Sequence, residues 1–178
     1  YSPENVFSGY DYDAQQVLVE TEDGYIEPIL ANEKITAIEV DGANRKWIGT
    51  QSSGLFLYSE DGTEQLLHFT ESNSPLFSNR ITDIDINQQN GEVFIGTDKG
   101  LISYNSGAIK GNDTHGEVIV YPNPVREDYI GPIAIKSLVE DAQVKITDLN
   151  GRLVQEFTAL GGQAIWDGKN GDGQRVST

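Results

Sequence analysis

A six-residue pattern that occurs twice decides the fold of this chain. Residues 35–40 are Ile-Thr-Ala-Ile-Glu-Val, and residues 81–86 are Ile-Thr-Asp-Ile-Asp-Ile. In both copies β-branched residues recur at every second position, which is typical of a β-strand. The copies begin at Ile35 and Ile81, 46 residues apart. An internal repeat of this length indicates an architecture built from stacked units.

The similarity continues beyond the six residues. Residues 47–50 (Trp-Ile-Gly-Thr) align with residues 94–97 (Phe-Ile-Gly-Thr), and residues 54–58 align with residues 100–104. Asp41-Gly42 and Asn90-Gly91 lie where the first hairpin of each unit must turn, and both dipeptides suit a positive φ. The first unit therefore predicts four strands, at 35–40, 45–51, 55–58 and 65–70.

Four short strands in about 46 residues is the scale of a β-propeller blade. The second unit ends after its third strand, and residues 1–30 fit the repeat poorly, as the outer strands of a preceding blade would. We therefore predict about two and a half blades. A closed ring needs roughly four to eight, so we expect the chain to be part of a longer protein.

A change in composition predicts a domain boundary near residue 112. Residues 105–116 are mostly polar and small, as in a linker. Of the net charge of −16, residues 1–112 carry −12 and residues 113–178 carry −4. We predict propeller blades over 1–112 and a second domain over 113–178.

The second domain also has the pattern of an all-β fold. Predicted strands lie at 117–121, 132–138, 142–147, 153–157 and 163–166, and Asn150-Gly151 predicts a type I′ turn between the third and fourth. Short strands at this spacing suggest an immunoglobulin-like sandwich. No helical periodicity is present anywhere, so the predicted fold class is all-β.

Composition excludes several classes of function. The strong acidic excess argues against binding to nucleic acid or to an anionic membrane surface. The lack of cysteine excludes disulfides, thiolate nucleophiles and thiolate zinc sites, and two histidines are too few for a histidine-rich metal centre. No apolar run approaches the roughly 20 residues of a membrane span, and no signal peptide is visible.

The candidate catalytic residues are few. Asp83 and Asp85 share one face of a predicted strand and would suit acid-base chemistry. The other repeat has Ala37 and Glu39 at these positions, which favours a solvated strand edge instead. Neither His68 nor His115 lies in a nucleophile motif, so we predict that both are exposed surface residues.

Two further groups have a functional and a structural interpretation. Asp167, Asn170 and Asp172 suggest weak calcium binding, but their spacing does not fit an EF-hand loop, and Asx turns are the favoured interpretation. Trp47 and Phe94 would suit carbohydrate stacking, but their recurrence favours packing between blades. Trp166 is predicted in the sandwich core. We therefore predict no catalytic, cofactor-binding or metal-binding residue, no cofactor and no enzymatic activity, and we assign no binding residue.

Both parts of the chain resemble known families. The pattern I-x-x-I…(W/F)-I-G-T…G-L-x-x-Y resembles the two-component regulator propeller repeat of Bacteroidetes-type bacteria. Tyr-Pro-Asn-Pro at 121–124, residues 144–151 and residues 161–168 resemble the C-terminal sorting domain of the type IX secretion system. That family continues with a Gly-x-Tyr strand, so the last strand either lies beyond Thr178 or is lacking.

The order of the two modules is similar to that of PorZ-like components of type IX secretion. This resemblance implies an exported, non-enzymatic protein at the bacterial surface, either outer membrane-associated or periplasmic. The partners it implies are secretion-machinery proteins or the sortase complex, with lipopolysaccharide or another glycan as a further candidate. Two alternatives remain: the ligand-sensing ectodomain of a hybrid two-component receptor, and an exported cargo protein that carries a sorting domain.

Overall fold

The computed structural model describes residues 17–20, 24–114 and 116–176. These residues form β-strands joined by turns and contain no helix, which confirms the all-β prediction. Every pair of neighbouring strands is antiparallel. The strands are β1 Leu18–Glu20, β2 Ile26–Pro28, β3 Ile35–Val40, β4 Lys46–Thr50, β5 Leu55–Tyr58, β6 Gln65–Phe69, β7 Ile81–Asn87, β8 Glu92–Thr97, β9 Gly100–Asn105, β10 Ile119–Tyr121, β11 Ile133–Lys136, β12 Gln143–Thr147, β13 Leu153–Thr158 and β14 Gln163–Trp166.

The repeat units form separate sheets with the strand order expected for blades. The first unit is a four-stranded sheet in the order β3-β4-β5-β6, and the second is a three-stranded sheet in the order β7-β8-β9. The two-stranded sheet β1-β2 precedes them. Sheets of two, four and three strands are consistent with the two and a half blades that the sequence predicts.

The main apolar core lies between the two repeat sheets. Alternation along β7 and β8 gives the second sheet one apolar face, and β3 lies against β7. The buried side chains of this cluster are Trp47, Leu55, Leu57, Leu76, Ile81, Ile84, Ile86, Val93 and Ile95. The opposite face of the first sheet carries Ile48, Phe56 and Tyr58, which pack against Val19, Ile29 and Leu30. The first sheet is therefore covered on both faces, and burial raises the pKa of Tyr58.

The turn after β3 differs from its prediction. Gly42 does not have a positive φ; Asn44 does, at 54°. The carboxylate of Asp41 explains this turn, because it accepts the backbone N–H groups of Ala43 at 3.0 Å and Arg45 at 3.1 Å. The guanidinium of Arg45 also pairs with Asp41 at 2.7 Å. The equivalent turn after β7 is as predicted, with Gly91 at φ 73°.

The turn between β12 and β13 also corrects a prediction. A type I′ turn needs a positive φ at both central residues, but only Gly151 has one, at 81°. Asp148 holds the turn instead, because its carboxylate accepts the N–H groups of Asn150 and Arg152 at 2.8 and 2.9 Å. As at Asp41, a side chain determines the form of the turn.

The C-terminal segment consists of two small sheets around a shared core. One sheet has the order β10-β11-β14, and the other pairs β12 with β13. Ile135, Leu138, Ala159 and Ala164 are buried between them. Trp166 does not belong to this core, contrary to the prediction: its ring is half-buried, and its indole N–H donates to the carbonyl of Lys169 at 2.7 Å.

The turn that follows β5 leads to a prediction about pH. The carboxylate of Asp61 accepts the Ser59 hydroxyl at 2.6 Å and the Thr63 N–H at 3.0 Å. These bonds, that of Ser59 foremost, lower the pKa of Asp61 to about 2. Because the folded-state pKa is depressed, the contribution of this turn to stability is present above the ordinary carboxyl pKa and is lost as the pH falls toward 2.

Ser59→Ala is expected to raise the pKa of Asp61 toward its ordinary value, because the substitution removes the strongest of these hydrogen bonds. An NMR titration of the Asp61 carboxyl carbon measures the change. Ser53→Ala is the control, since Ser53 bonds elsewhere, to Glu33, and should leave Asp61 unchanged. An unchanged pKa in Ser59→Ala contradicts the prediction.

Candidate functional site

The two aspartates of β7 share one face of the strand, as predicted, and both are exposed. Asp83 lies opposite Gly96, and Asp85 lies opposite Phe94. Among the described residues, these two carboxylates make one hydrogen bond: Asp85 accepts the N–H of its neighbour Ile86 at 2.9 Å. Within the described residues no three histidine, aspartate or glutamate side chains gather as a metal site would require. The geometry favours the solvated-edge interpretation.

The acidic loop after β14 forms the turns expected of Asx residues. Asp167 accepts the N–H of Lys169 at 3.0 Å and pairs with its ammonium group at 3.0 Å. The hydrogen bond from the Lys169 side chain is the main reason why the pKa of Asp167 is lowered. Asn170 accepts the N–H groups of Asp172 and Gln174 at 3.1 and 2.9 Å. These side chains are therefore engaged with their own loop.

The prediction for His68 is wrong. The side chain is half-buried, and its ring stacks on Phe56 with 4.0 Å between centroids and 10° between planes. Its Nε2 lies 2.7 Å from the carbonyl oxygen of Ser53. Alternation places His68 on the face opposite Leu67, as predicted, but that face is packed rather than free. His115 lies outside the described residues.

The two equivalent aromatic residues have different surroundings. Trp47 is completely buried between the repeat sheets, where its indole N–H donates to Asp41 at 3.1 Å. This is the packing role that the repeat predicts. Phe94 lies on the equivalent face of the second sheet, and that face points away from the first sheet. The Phe94 side chain is only half-buried. The second sheet therefore has no blade on that face among the described residues.

The segment predicted as a linker is held on both sides by backbone hydrogen bonds. Toward the blades, the N–H of Lys110 donates to Gln88 at 3.1 Å. Toward the C-terminal segment, Ile109 accepts the N–H of Gly162 at 2.7 Å, and the N–H of Asn112 donates to Leu138 at 3.0 Å. Residues 107–112 thus connect the two parts as an ordered strip of main chain.

Glycines allow the main chains to meet at this point. A Cβ atom at Gly42 would overlap the backbone of Ile109, and one at Gly161 would overlap the carbonyl groups of both Ile109 and Gly42. A Cβ atom at Gly162 would overlap the carbonyl of Lys110. We call Gly42, residues 107–112 and residues 161–162 the junction. The glycines are visible in the sequence, but nothing there distinguishes a close approach from an ordinary turn.

Polar side chains reinforce the junction. The amide of Gln163, which is 5% exposed, donates to the carbonyl of Gly107. The guanidinium of Arg45 reaches the carbonyl of Ser106 at 3.4 Å, and the Ser106 hydroxyl donates to Gly91 at 2.9 Å. The ion pair of buried Asp41 with partly buried Arg45 therefore connects the first hairpin turn to the linker. The arrangement fixes the C-terminal segment against the hairpin turns of both blades.

None of the described residues forms a helix long and apolar enough to cross a membrane. Comparison with models of protein families and with curated proteins gave no match. Similar solved structures include the following two. One is the extracellular domain of a one-component system of B. thetaiotaomicron, with 21% identity and a TM-score of 0.37, over 79% of this chain and 20% of that one.

The other is PorZ, described as an essential bacterial surface component of the type IX secretion system of Porphyromonas gingivalis. The TM-score is 0.59 and the identity is 36%, over 99% of this chain. The chain spans about a quarter of PorZ, 24% of its length. In sequence and in structure, nearly the whole of this chain is therefore similar to one part of PorZ.

Proposed function

We propose that this chain belongs to a PorZ-like, non-enzymatic surface component of a type IX secretion system. The observation that carries the proposal is the 36% identity to PorZ over 99% of the chain, which includes the repeat sheets and the C-terminal segment in one match. A match to the repeats alone would not distinguish a secretion component from other proteins that contain such blades.

The proposal assigns a role to each part of the chain. Residues 1–112 belong to a β-propeller, and residues 113–178 form a sorting-type, immunoglobulin-like sandwich. The sheet order of the two repeat units and the two small sheets of the C-terminal segment support this assignment. The protein acts at the cell surface through contacts with secretion-machinery proteins or with the sortase complex.

The positions of the candidate catalytic residues support a role in binding rather than in catalysis. Asp83 and Asp85 face solvent, Asp167 pairs with Lys169, and His68 stacks on Phe56. Asp83 and Asp85 share β7, whereas His68 lies on β6 and Asp167 lies in the loop after β14. A contact with an anionic glycan needs a locally basic patch or a bridging cation, because residues 1–112 carry a net charge of −12.

The junction favours a machinery component over a cargo protein. A cargo protein loses its sorting domain by cleavage between the domains, and a protease needs an extended, accessible segment there. In this chain the main chain of residues 107–112 bonds to both neighbours, and Ala108 is completely buried. We therefore propose that the C-terminal segment is retained.

Mass spectrometry of the cell-associated protein tests this proposal. We expect peptides from residues 117–176 in the same stoichiometry as peptides from residues 35–104. Loss of the C-terminal peptides from the mature protein would identify it as cargo.

A pull-down from the native bacterium tests the machinery role itself. The full-length protein is expected to recover secretion-machinery proteins or the sortase, and a matched bait without residues 113–178 separates contacts of the two parts. Recovery of neither class of partner by the full-length bait contradicts the proposal.

A further inference from the structure

Three asparagine–glycine pairs occur in the chain, at residues 90–91, 150–151 and 170–171. Asparagine is thermolabile, because its side-chain amide can be attacked by the backbone nitrogen of the next residue. Glycine at that next position hinders the attack least, since it has no Cβ atom. The local sequence therefore makes all three pairs reactive, and differences between them must come from the fold.

The first pair is held tightly in the turn between β7 and β8. The side-chain carbonyl of Asn90 accepts the N–H of Glu92 at 3.0 Å. Gly91 is buried, and its own carbonyl accepts both the N–H and the hydroxyl of Ser106 at 2.9 Å. A Cβ atom at Gly91 would lie 2.7 Å from the carbonyl oxygen of Ala108. This turn must open before the side chain of Asn90 can reach the backbone nitrogen.

The third pair is restrained by its own loop and by a neighbouring strand. The side-chain carbonyl of Asn170 accepts the N–H groups of Asp172 and Gln174 at 3.1 and 2.9 Å. The N–H of Gly171 donates to the carbonyl of Val154, in β13, at 3.0 Å. Attack by this nitrogen would break the bond between loop and strand, and the side chain would lose two further bonds.

The middle pair lies at the exposed tip of the hairpin of β12 and β13. The side chain of Asn150 is exposed and makes no hydrogen bond within the part of the chain that the structure describes. No atom lies within 4 Å of a Cβ added at Gly151. The N–H of Gly151 donates to Asp148 at 2.9 Å, but the glycine N–H is bonded in all three pairs and does not distinguish them. The free side chain does.

We propose that the fold makes Asn150-Gly151 the preferred site of spontaneous deamidation among the three pairs. The backbone nitrogen of Gly151 attacks Cγ of Asn150, and a new N–Cγ bond forms. The Cγ–Nδ2 bond breaks, and ammonia leaves with the proton of the glycine N–H. Water then opens the resulting succinimide ring at either of its two carbonyl groups, which gives aspartate or isoaspartate at position 150.

The modification changes the hairpin turn in two ways. Either product places a carboxylate at position 150, close to that of Asp148, which holds the turn through the N–H groups of Asn150 and Arg152. Isoaspartate also routes the main chain through Cβ, which adds one carbon atom before Gly151. Both changes weaken the turn, so the hairpin of β12 and β13 opens more readily as the protein ages. This inference does not depend on the proposed function.

Peptide mapping by mass spectrometry tests the proposal on the full-length protein, which is kept at mildly alkaline pH and digested at acidic pH after increasing times. Asn150 is expected to convert at least about tenfold faster than Asn90 or Asn170, because each of those must first give up hydrogen bonds of its side chain. In heavy-oxygen water the label should enter the product at position 150. Equal rates at the three pairs overturn the proposal.

Unfolding controls for the local sequence. In concentrated denaturant the three pairs should react at similar rates, so the preference for Asn150 should disappear. A preference of the same size in the unfolded chain would show that the neighbouring residues select the site, and the fold would then have no part in it.

Asn150→Gln tests the effect on the hairpin. The variant keeps an amide, but its longer side chain would have to form a larger, less favourable ring, so conversion at position 150 should stop. Hydrogen exchange of β12 and β13 should become faster during storage of the unsubstituted protein and stay constant in Asn150→Gln. Equal exchange in the two freshly prepared proteins verifies that the variant is folded. An equal increase in both during storage contradicts the proposed weakening of the turn.

Discussion

Replacing Gly161 by alanine is expected to loosen the C-terminal segment from the blades by about 2–5 kcal/mol. Two effects add. The backbone of Gly161 has a φ of 63°, which costs an L-residue roughly 1–2 kcal/mol. The new Cβ would also overlap the carbonyl groups of Ile109 and Gly42. Main chain on both sides cannot move away as a flexible side chain would, and overpacking of this kind costs about 1–3 kcal/mol.

Denaturant unfolding and limited proteolysis together measure this effect. Gly161→Ala should lower the denaturant concentration at which half of the C-terminal segment is unfolded. It should also make residues 107–114 accessible to the protease while the blades stay folded. Gly151→Ala is the matched control, because its φ is 81° but no atom lies within 4 Å of the added Cβ. Gly151→Ala should lower the free energy of unfolding only by the cost of placing an L-residue at a positive φ. Equal effects of the two substitutions would show that the junction is not closely packed.

Replacing Trp47 by alanine is expected to lower the free energy of unfolding of the blades by about 3–5 kcal/mol. Trp47 is completely buried between the repeat sheets, and its ring lies 5.8 Å from that of Tyr104. The substitution leaves a large cavity in the core that joins the blades. It also removes one donor from the buried carboxylate of Asp41, which keeps its bonds to Arg45.

The repeat supplies the control for this prediction. Phe94 occupies the equivalent position in the second unit but faces away from the first sheet and is half-buried. Phe94→Ala in the 178-residue chain should therefore cost less than half as much as Trp47→Ala. Trp47→Phe removes the indole donor but keeps an aromatic ring in the core, so it distinguishes the cost of the lost hydrogen bond from the cost of a large cavity. We expect it to lower the free energy of unfolding by about 1–2 kcal/mol. Chemical denaturation measures the free energy of unfolding of the three variants. Equal decreases for Trp47→Ala and Phe94→Ala would contradict the packing assigned to these two residues.

The repeat made much of this fold predictable. The alternation at 35–40 and 81–86 predicts β3 and the greater part of β7, and the aligned Trp-Ile-Gly-Thr and Phe-Ile-Gly-Thr segments predict β4 and β8. The inter-blade position of Trp47 was predictable for the same reason, because a position that recurs in each unit faces a recurring neighbour.

Features that depend on a particular side chain or on a distant contact were not predictable. Positive φ moved from Gly42 to Asn44 because the carboxylate of Asp41 holds the turn. His68 is covered because Phe56 on the adjacent strand offers a ring at 4.0 Å. The linker is ordered because its main chain meets Gly42 and Gly161, which are far apart in sequence. Local composition cannot report such contacts.

The junction also determines how freely the two parts can be recombined. Most of its contacts join main chain to main chain, so the geometry depends little on which side chains cover the rest of either part. A designer could place a different C-terminal domain on these blades by keeping Gly42, residues 107–112 and a Gly-Gly-Gln sequence like that at 161–163. Conversely, we expect that altering the surface side chains of either part leaves the orientation of the C-terminal segment relative to the blades unchanged, because the main-chain contacts of the junction set that orientation.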